Sequence, residues 1–335
     1  MHDALEPDDS IIGLVWNPSK TSQGDLEAAI PATPGLRFSW FETSADDPGR
    51  AATQQALDAG ATLILAAGGD GTVRAVAEHL ADTGGSADLG IVPLGTGNLL
   101  ARNLGVPLND PAAAIAHALG HAGTPLDIGW AELTLDGGVE RHAFAVMAGF
   151  GIDAHMITET DDDLKDRAGW LAYVESLGRA VSASELIPVT LSADGGEPVT
   201  EPAHTLLVGN CGTLQGGLTL LPDADPRDGE LDLLVLNAEG IGGWADTVRN
   251  LLWDNGLKRL FAGSADATAA SSESASHSRV RTLTVDLGEP RQVEVDGDAL
   301  GEASRIVLSV QPGAIRVRAA EPDSAARPAG RRGSA

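Results

Sequence analysis

Cysteine is almost absent. Cys211 stands alone among 335 residues, so no intrachain disulfide can form, and a small buried thiol in a reducing cytoplasm is expected. Basic residues are scarce too, 22 Lys and Arg against 48 Asp and Glu, for a formal net charge of −26. Such a surface repels nucleic acid and gives no long-range pull toward anionic lipid headgroups. Aromatic residues make up 4 % of the chain, and no basic stripe interleaved with aromatics offsets the negative charge. No window holds the roughly 18 uninterrupted apolar residues of a membrane helix. The opening MHDALEPDDS lacks the basic-then-apolar pattern of a secretory signal. Three motifs are missing as well: GxxxxGK followed by Ser or Thr, GxGxxG after a strand, and Gly-x-Ser-x-Gly. These absences exclude a P-loop, a dinucleotide fingerprint and a nucleophile-elbow hydrolase.

What is present is a chain that is 43 % hydrophobic and long enough for about two domains. Up to residue 125 strand and helix alternate: IIGLVW, LRFSWF, TLILAA and LGIVPL read as strands. Between them lie helices with plain signals, such as DPAAAIAHALG, where Asp110 caps, Pro111 opens and Gly120 ends. Alternation predicts a parallel sheet covered on both faces, an α/β domain over 1–125. From 126 to 320 strands dominate, with a hairpin about Asp136-Gly137, and an antiparallel β-sandwich domain is expected. A long amphipathic helix with Leu164, Leu171, Val174 and Val181 near one face interrupts them. Residues 264–278 read as a loose loop, and 321–335 as a disordered tail.

Chemistry concentrates in glycine turns. AAGGDGT ends a buried strand at Gly68, Gly69, Asp70, Gly71 and Thr72, immediately before a helical pattern. PLGTGN repeats the device with Gly95 and Thr96, and the first strand ends in NPSK, from Asn17 and Pro18. Turns at the ends of neighbouring parallel strands face one crevice, where backbone N–H groups and helix starts can surround phosphate. Two acidic elements lie further on. DADPRDGELDLL gathers Asp223, Asp225, Asp228, Glu230 and Asp232, hard oxygens of the kind Mg²⁺ takes. VEVDGDALG places Asp296 and Asp298 about an Asp-Gly turn, where a carboxylate could accept a proton.

GGDGT followed by PLGTGN resembles the catalytic domain of the diacylglycerol kinase and lipid kinase family. The likeness continues through GFGIDAHM, VGNCGTLQGGLTLLPDADPRDGELDLLV and VEVDGD, from Ile11 to about Val317. It implies an ATP-dependent kinase with Mg²⁺, a nucleotide-binding α/β domain, a β-sandwich domain and a cleft between them. Carried over by residue, the ATP site would comprise Asn17, Pro18, Thr43, Gly69, Asp70, Gly71, Thr72, Gly95 and Thr96. The Mg²⁺ ligands would be the Asp228 carboxylate with backbone oxygens of Asp225 and Glu230. The proton acceptor would lie in the Asp296-Gly297-Asp298 element, with Asp70 the next candidate.

The chain departs from the family pattern in places. Arg74-Ala75 stand where a polar residue and Glu usually follow GGDGT, Ser19-Lys20 replace a serine-glycine pair, and Asp298 replaces Glu. The resemblance implies a lipid acceptor such as diacylglycerol, met at a membrane by brief peripheral contact. The oligomeric state stays open, a homodimer included. A kinase of NAD or a sphingoid base, and a non-catalytic nucleotide or lipid sensor, are the alternatives.

Overall fold

The computed structural model describes residues 11–32, 35–151, 186–214, 219–237 and 275–320. The helix expected about Leu164–Val181 and the tail from Glu321 lie outside them.

The first half alternates as its sequence predicts: β1 (Ile11–Trp16), α1 (Gln23–Ala29), β2 (Arg37–Glu42), α2 (Arg50–Asp58), β3 (Ala61–Gly68), α3 (Asp70–Thr83) and β4 (Asp88–Pro93). Two helices follow, α4 (Leu99–Asn103) and α5 (Pro111–Gly120). The remaining elements are strands: β5 (Gly123–Leu135), β6 (Gly138–Phe144), β7 (Met147–Phe150), β8 (Ile187–Ala193), β9 (Val199–Ala203), β10 (Thr205–Gly209), β11 (Leu231–Leu236), β12 (Ala275–Val280), β13 (Thr282–Val295) and β14 (Asp298–Arg318). Ala275–Ser278, expected in the loose loop, instead extend the sheet, because β12 pairs with β11 along its whole length.

The sheet is mixed, with main order β12-β11-β10-β7-β13-β14-β4-β3-β1-β2. Its β4-β3-β1-β2 part is parallel and the rest antiparallel, apart from a single parallel contact, Val317 to Leu89. Every residue of β4 is buried, as a central parallel strand covered on both faces requires. In β1–β4 the chain runs one way from β1 to β2 and the other way to β3. The crevice above the C-terminal ends of β1 and β3 is therefore the switch point where open α/β sheets place ligands.

There are two apolar cores. The first fills the space between β1–β4 and helices α1–α5 with Leu14, Ile64, Leu65, Ile91 and Ile115. The second gathers Phe144, Phe150, Leu206, Leu233 and Val293 between the antiparallel strands. Full burial of one such side chain stabilises by roughly 1.5–3 kcal/mol. The cores do not divide at residue 125. Ala143, Ala145–Met147, Cys211, Ile315, Val317 and Ala319 pack into the first. A register shift between Gln311 and Ile315 bends β14, so its end leaves β13 and reaches β4.

Candidate active site

The three glycine and asparagine turns meet at one edge of the parallel sheet. Asn17 N–H donates to the Ala67 carbonyl (3.0 Å), Leu94 N–H to Gly68 (2.8 Å) and Thr43 N–H to Trp16 (2.9 Å). Each strand end is thus laced to its neighbour. The two glycine turns touch backbone to backbone. A Cβ on Gly95 would sit 2.7 Å from Gly69 Cα, too close for any side chain. Asn98, at φ 48°, closes the second turn by accepting from Gly95 N–H (2.9 Å) and donating to its carbonyl (2.7 Å).

Asp70 is the first residue of α3, where N–H groups have no partner within the helix. Its carboxylate turns toward the other loop. It accepts from Asn98 N–H (2.8 Å) and Leu99 N–H (2.6 Å), capping α4 across 28 residues of sequence. Burial raises its pKa, those two hydrogen bonds oppose the rise, and the nearby Asp298 charge adds to it. Of the other expected phosphate-side residues, Thr72 and Thr43 are buried, whereas Pro18 and Thr96 are exposed. Asn17 accepts from Ser19 N–H (2.9 Å) and Oγ (2.7 Å), which fixes the first turn.

The β13–β14 turn brings Asp298 to the same place. A Cβ on Gly71 would lie 3.6 Å from Asp298 Oδ2, ordinary van der Waals contact, so that carboxylate lies against the first turn of α3. Arg74, one helical turn on, donates to Asp298 Oδ2 at 2.7 Å. Asp296 has different work. It sits at φ 50° and is 6 % exposed. It accepts from the N–H groups of Ala145, Val146 and Met147, each at 2.9 Å. Burial pushes its carboxyl up to about 6 against the pull of those bonds. Asp296 anchors the turn, and Asp298 is the carboxylate left facing the cleft.

Sequence reasoning missed Asp127 and Asn210. Asp127, 2 % exposed, accepts from Gly229 N–H (2.7 Å) and Gly313 N–H (2.6 Å). Asn210 donates to the carbonyls of Asp127 (2.8 Å) and Ala145 (3.0 Å). The signal available was a lone acid inside the apolar LDIGW run, which must find partners when buried. Together these bonds tie the acidic turn of 223–230 to the segment that Asp296 holds.

In that turn Asp228 Oδ1 accepts Glu230 N–H (3.0 Å), while Oδ2 faces Arg279 at 3.7 Å, beyond hydrogen-bond reach. The Asp225 carbonyl already accepts from Arg227 (2.7 Å) and Asp228 (3.2 Å) N–H groups. Among the described residues no three His, Cys, Asp or Glu side chains gather as a metal cage. The donors fit a hard cation that keeps its waters, through the Asp228 carboxylate and the Glu230 carbonyl. Asp225 serves by holding the turn.

Residues 18–131 match the diacylglycerol kinase catalytic domain, and 146–319 match the YegS C-terminal NAD kinase beta sandwich-like domain. A Pseudomonas aeruginosa protein named "Probable lipid kinase YegS-like" is 33 % identical over 307 residues, covering 91 % of this chain and 92 % of that one. A "Diacylglycerol kinase" of Mycobacterium tuberculosis is 29 % identical over 184 residues, 55 % of this chain and 58 % of that one. The crystal structure of a diacylglycerol kinase from Bacillus anthracis shares the fold, with TM-score 0.64, 20 % identity, and coverage of 93 % and 97 %. Fold and matches together define a kinase, a phosphotransferase built of a parallel α/β part and an antiparallel β part. More narrowly, the chain belongs to the diacylglycerol kinase family, among its YegS-like lipid kinases.

Proposed function

We propose that the protein transfers the γ-phosphoryl group of ATP to a hydroxyl of diacylglycerol or a related lipid. The observation that carries this reading is the Asp298 carboxylate standing over the first turn of α3, where the three strand-end turns converge. The first-turn N–H groups of α3 and the 95–98 turn cradle the phosphates, with the positive helix end behind them. Asp298 accepts the proton of the acceptor hydroxyl as its oxygen bonds to the γ-phosphorus and ADP departs with the bridging oxygen. Asp228 and the Glu230 carbonyl would hold Mg²⁺, which supplies positive charge that offsets the charge of the phosphates. Asp70 and Asp296 act one step back, fixing the two loops that frame the cleft.

The lipid has to be met at a membrane surface. Among the described residues no helix is long and apolar enough to cross one. A net charge of −26 opposes lasting adhesion to anionic lipid, so we infer brief peripheral contact from the cytoplasmic side.

The test is labelled ATP with a panel of dioleoylglycerol, phosphatidylglycerol, sphingosine and undecaprenol in phosphatidylcholine vesicles, and NAD in solution. A labelled lipid, formed only with Mg²⁺ and needing more Mg²⁺ in Asp228→Ala, is expected. Phosphorylation of NAD alone, or ATP binding without transfer, overturns the lipid-kinase reading.

A further inference from the structure

Arg74 and Asp298, 224 residues apart in sequence, are joined at 2.7 Å. Both stand where the chain departs from its family's pattern. The Arg74 side chain is 15 % exposed, while that of Asp298 is 49 % exposed. Among the described residues Arg74 Nε is buried without a partner, and the bond from Nη2 to Asp298 is the contact that directs the guanidinium. Its place on α3 is fixed from behind, since Val73 and Val76 are in the first core.

Asp298 needs such a hold. It follows Gly297, at φ 88°, and belongs to a turn whose anchor is Asp296. A short, half-exposed carboxylate beyond that anchor has rotamers directed at solvent as well as at the cleft. A guanidinium donates in a planar fork and fixes direction as well as charge. The charge of Asp298 also bears on Asp70, and that of Arg74 on Asp296, so the cation stands among the carboxylates of this turn.

We propose that Arg74 is a positioning residue of the transfer reaction. It holds the Asp298 carboxylate over Gly71, in line to take the proton from the acceptor hydroxyl. This rests on the reading of Asp298 as proton acceptor. With Asp298 half-exposed, the single-bonded pair adds little to stability, so its effect belongs in kcat. Misplacing a reacting group by about 1 Å can cost on the order of 100-fold in rate.

The experiment is a double-mutant cycle of Arg74→Ala and Asp298→Asn, assayed with labelled ATP and the panel lipid that wild-type protein phosphorylates, with Tm measured alongside. Arg74→Ala is expected to lower kcat roughly 10- to 100-fold, with the KM for ATP within about twofold and Tm nearly unchanged. In the Asp298→Asn background it should cost nothing further, and Arg74→Lys should recover part of the rate. A wild-type kcat in Arg74→Ala overturns the proposal. So does a raised KM for ATP with the same fractional loss in both backgrounds, which would make Arg74 a phosphate ligand. If Asp298→Asn itself keeps the wild-type rate, or no panel lipid is phosphorylated, the parent reading fails and this one with it. If Asp298→Asn is inactive and Arg74→Ala is not, only the present proposal fails.

Discussion

Three aspartates that look alike in the sequence do different work, and burial with partners separates them. Asp70 caps α4, Asp296 collects three N–H groups, and Asp298 faces the cleft beside Arg74. Asp296→Asn would exchange an acceptor-only group for an amide that cannot serve all three N–H donors. Each buried donor left without a partner costs about 1–3 kcal/mol, so urea denaturation should show a loss of roughly 2–4 kcal/mol. Burial holds the Asp296 carboxyl at about 6, above the ordinary value of 3.8. A raised pKa contributes stability that is full below 3.8 and is lost as pH rises through about 6. Wild type should therefore gain on the order of 1 kcal/mol over Asp296→Asn between pH 7.5 and pH 5. An unchanged difference between those pH values would remove the proton from the account.

At the scale of elements, the strands and helices of the parallel half were legible because their signals are local. Asp110 caps α5 by accepting Ala113 N–H, and Gly84 ends α3 at φ 60°. The short α1 escaped reading, since Leu26 is its buried residue and its cap, Ser22, lies in a polar run. DDPGRAATQQALDAG predicts α2 with Asp at the cap and Pro48 in the first turn, whereas the helix begins at Arg50 after a Gly49 cap. Asp47, two residues before the Gly49 cap, bonds the N–H groups of Gly49, Arg50 and Ala51. The glycine turns were legible at the strand ends, but their mutual packing was not written in either motif. Replacing Gly95 by Ala would force a Cβ to 2.7 Å from Gly69 Cα. We expect at least a tenfold loss of ATP affinity, roughly 1.4 kcal/mol, by fluorescence titration. Gly120→Ala, where no atom lies within 4 Å, serves as the control and should bind as wild type.

For the whole molecule, the two cores are joined by covalent continuity of β14 and by buried polar bonds. Asp127 links residues 102 and 186 positions away, and Asn210 reaches both Asp127 and Ala145. Contacts of that span leave only a trace in sequence, a polar residue where apolar ones are expected. This is why the residues that orient the turns were missed while the turns were found. The arrangement sets the Asp298 turn, carried by the antiparallel half, against the glycine turns carried by the parallel half. The most direct measurement is the steady-state rate of lipid phosphorylation by wild type, Asp298→Asn and Asp298→Glu. Removing the basic carboxylate should lower kcat by about 10²–10⁴ while the KM for ATP stays nearly constant, and Asp298→Glu should stay active. An Asp298→Asn protein that phosphorylates lipid at the wild-type rate would contradict the account.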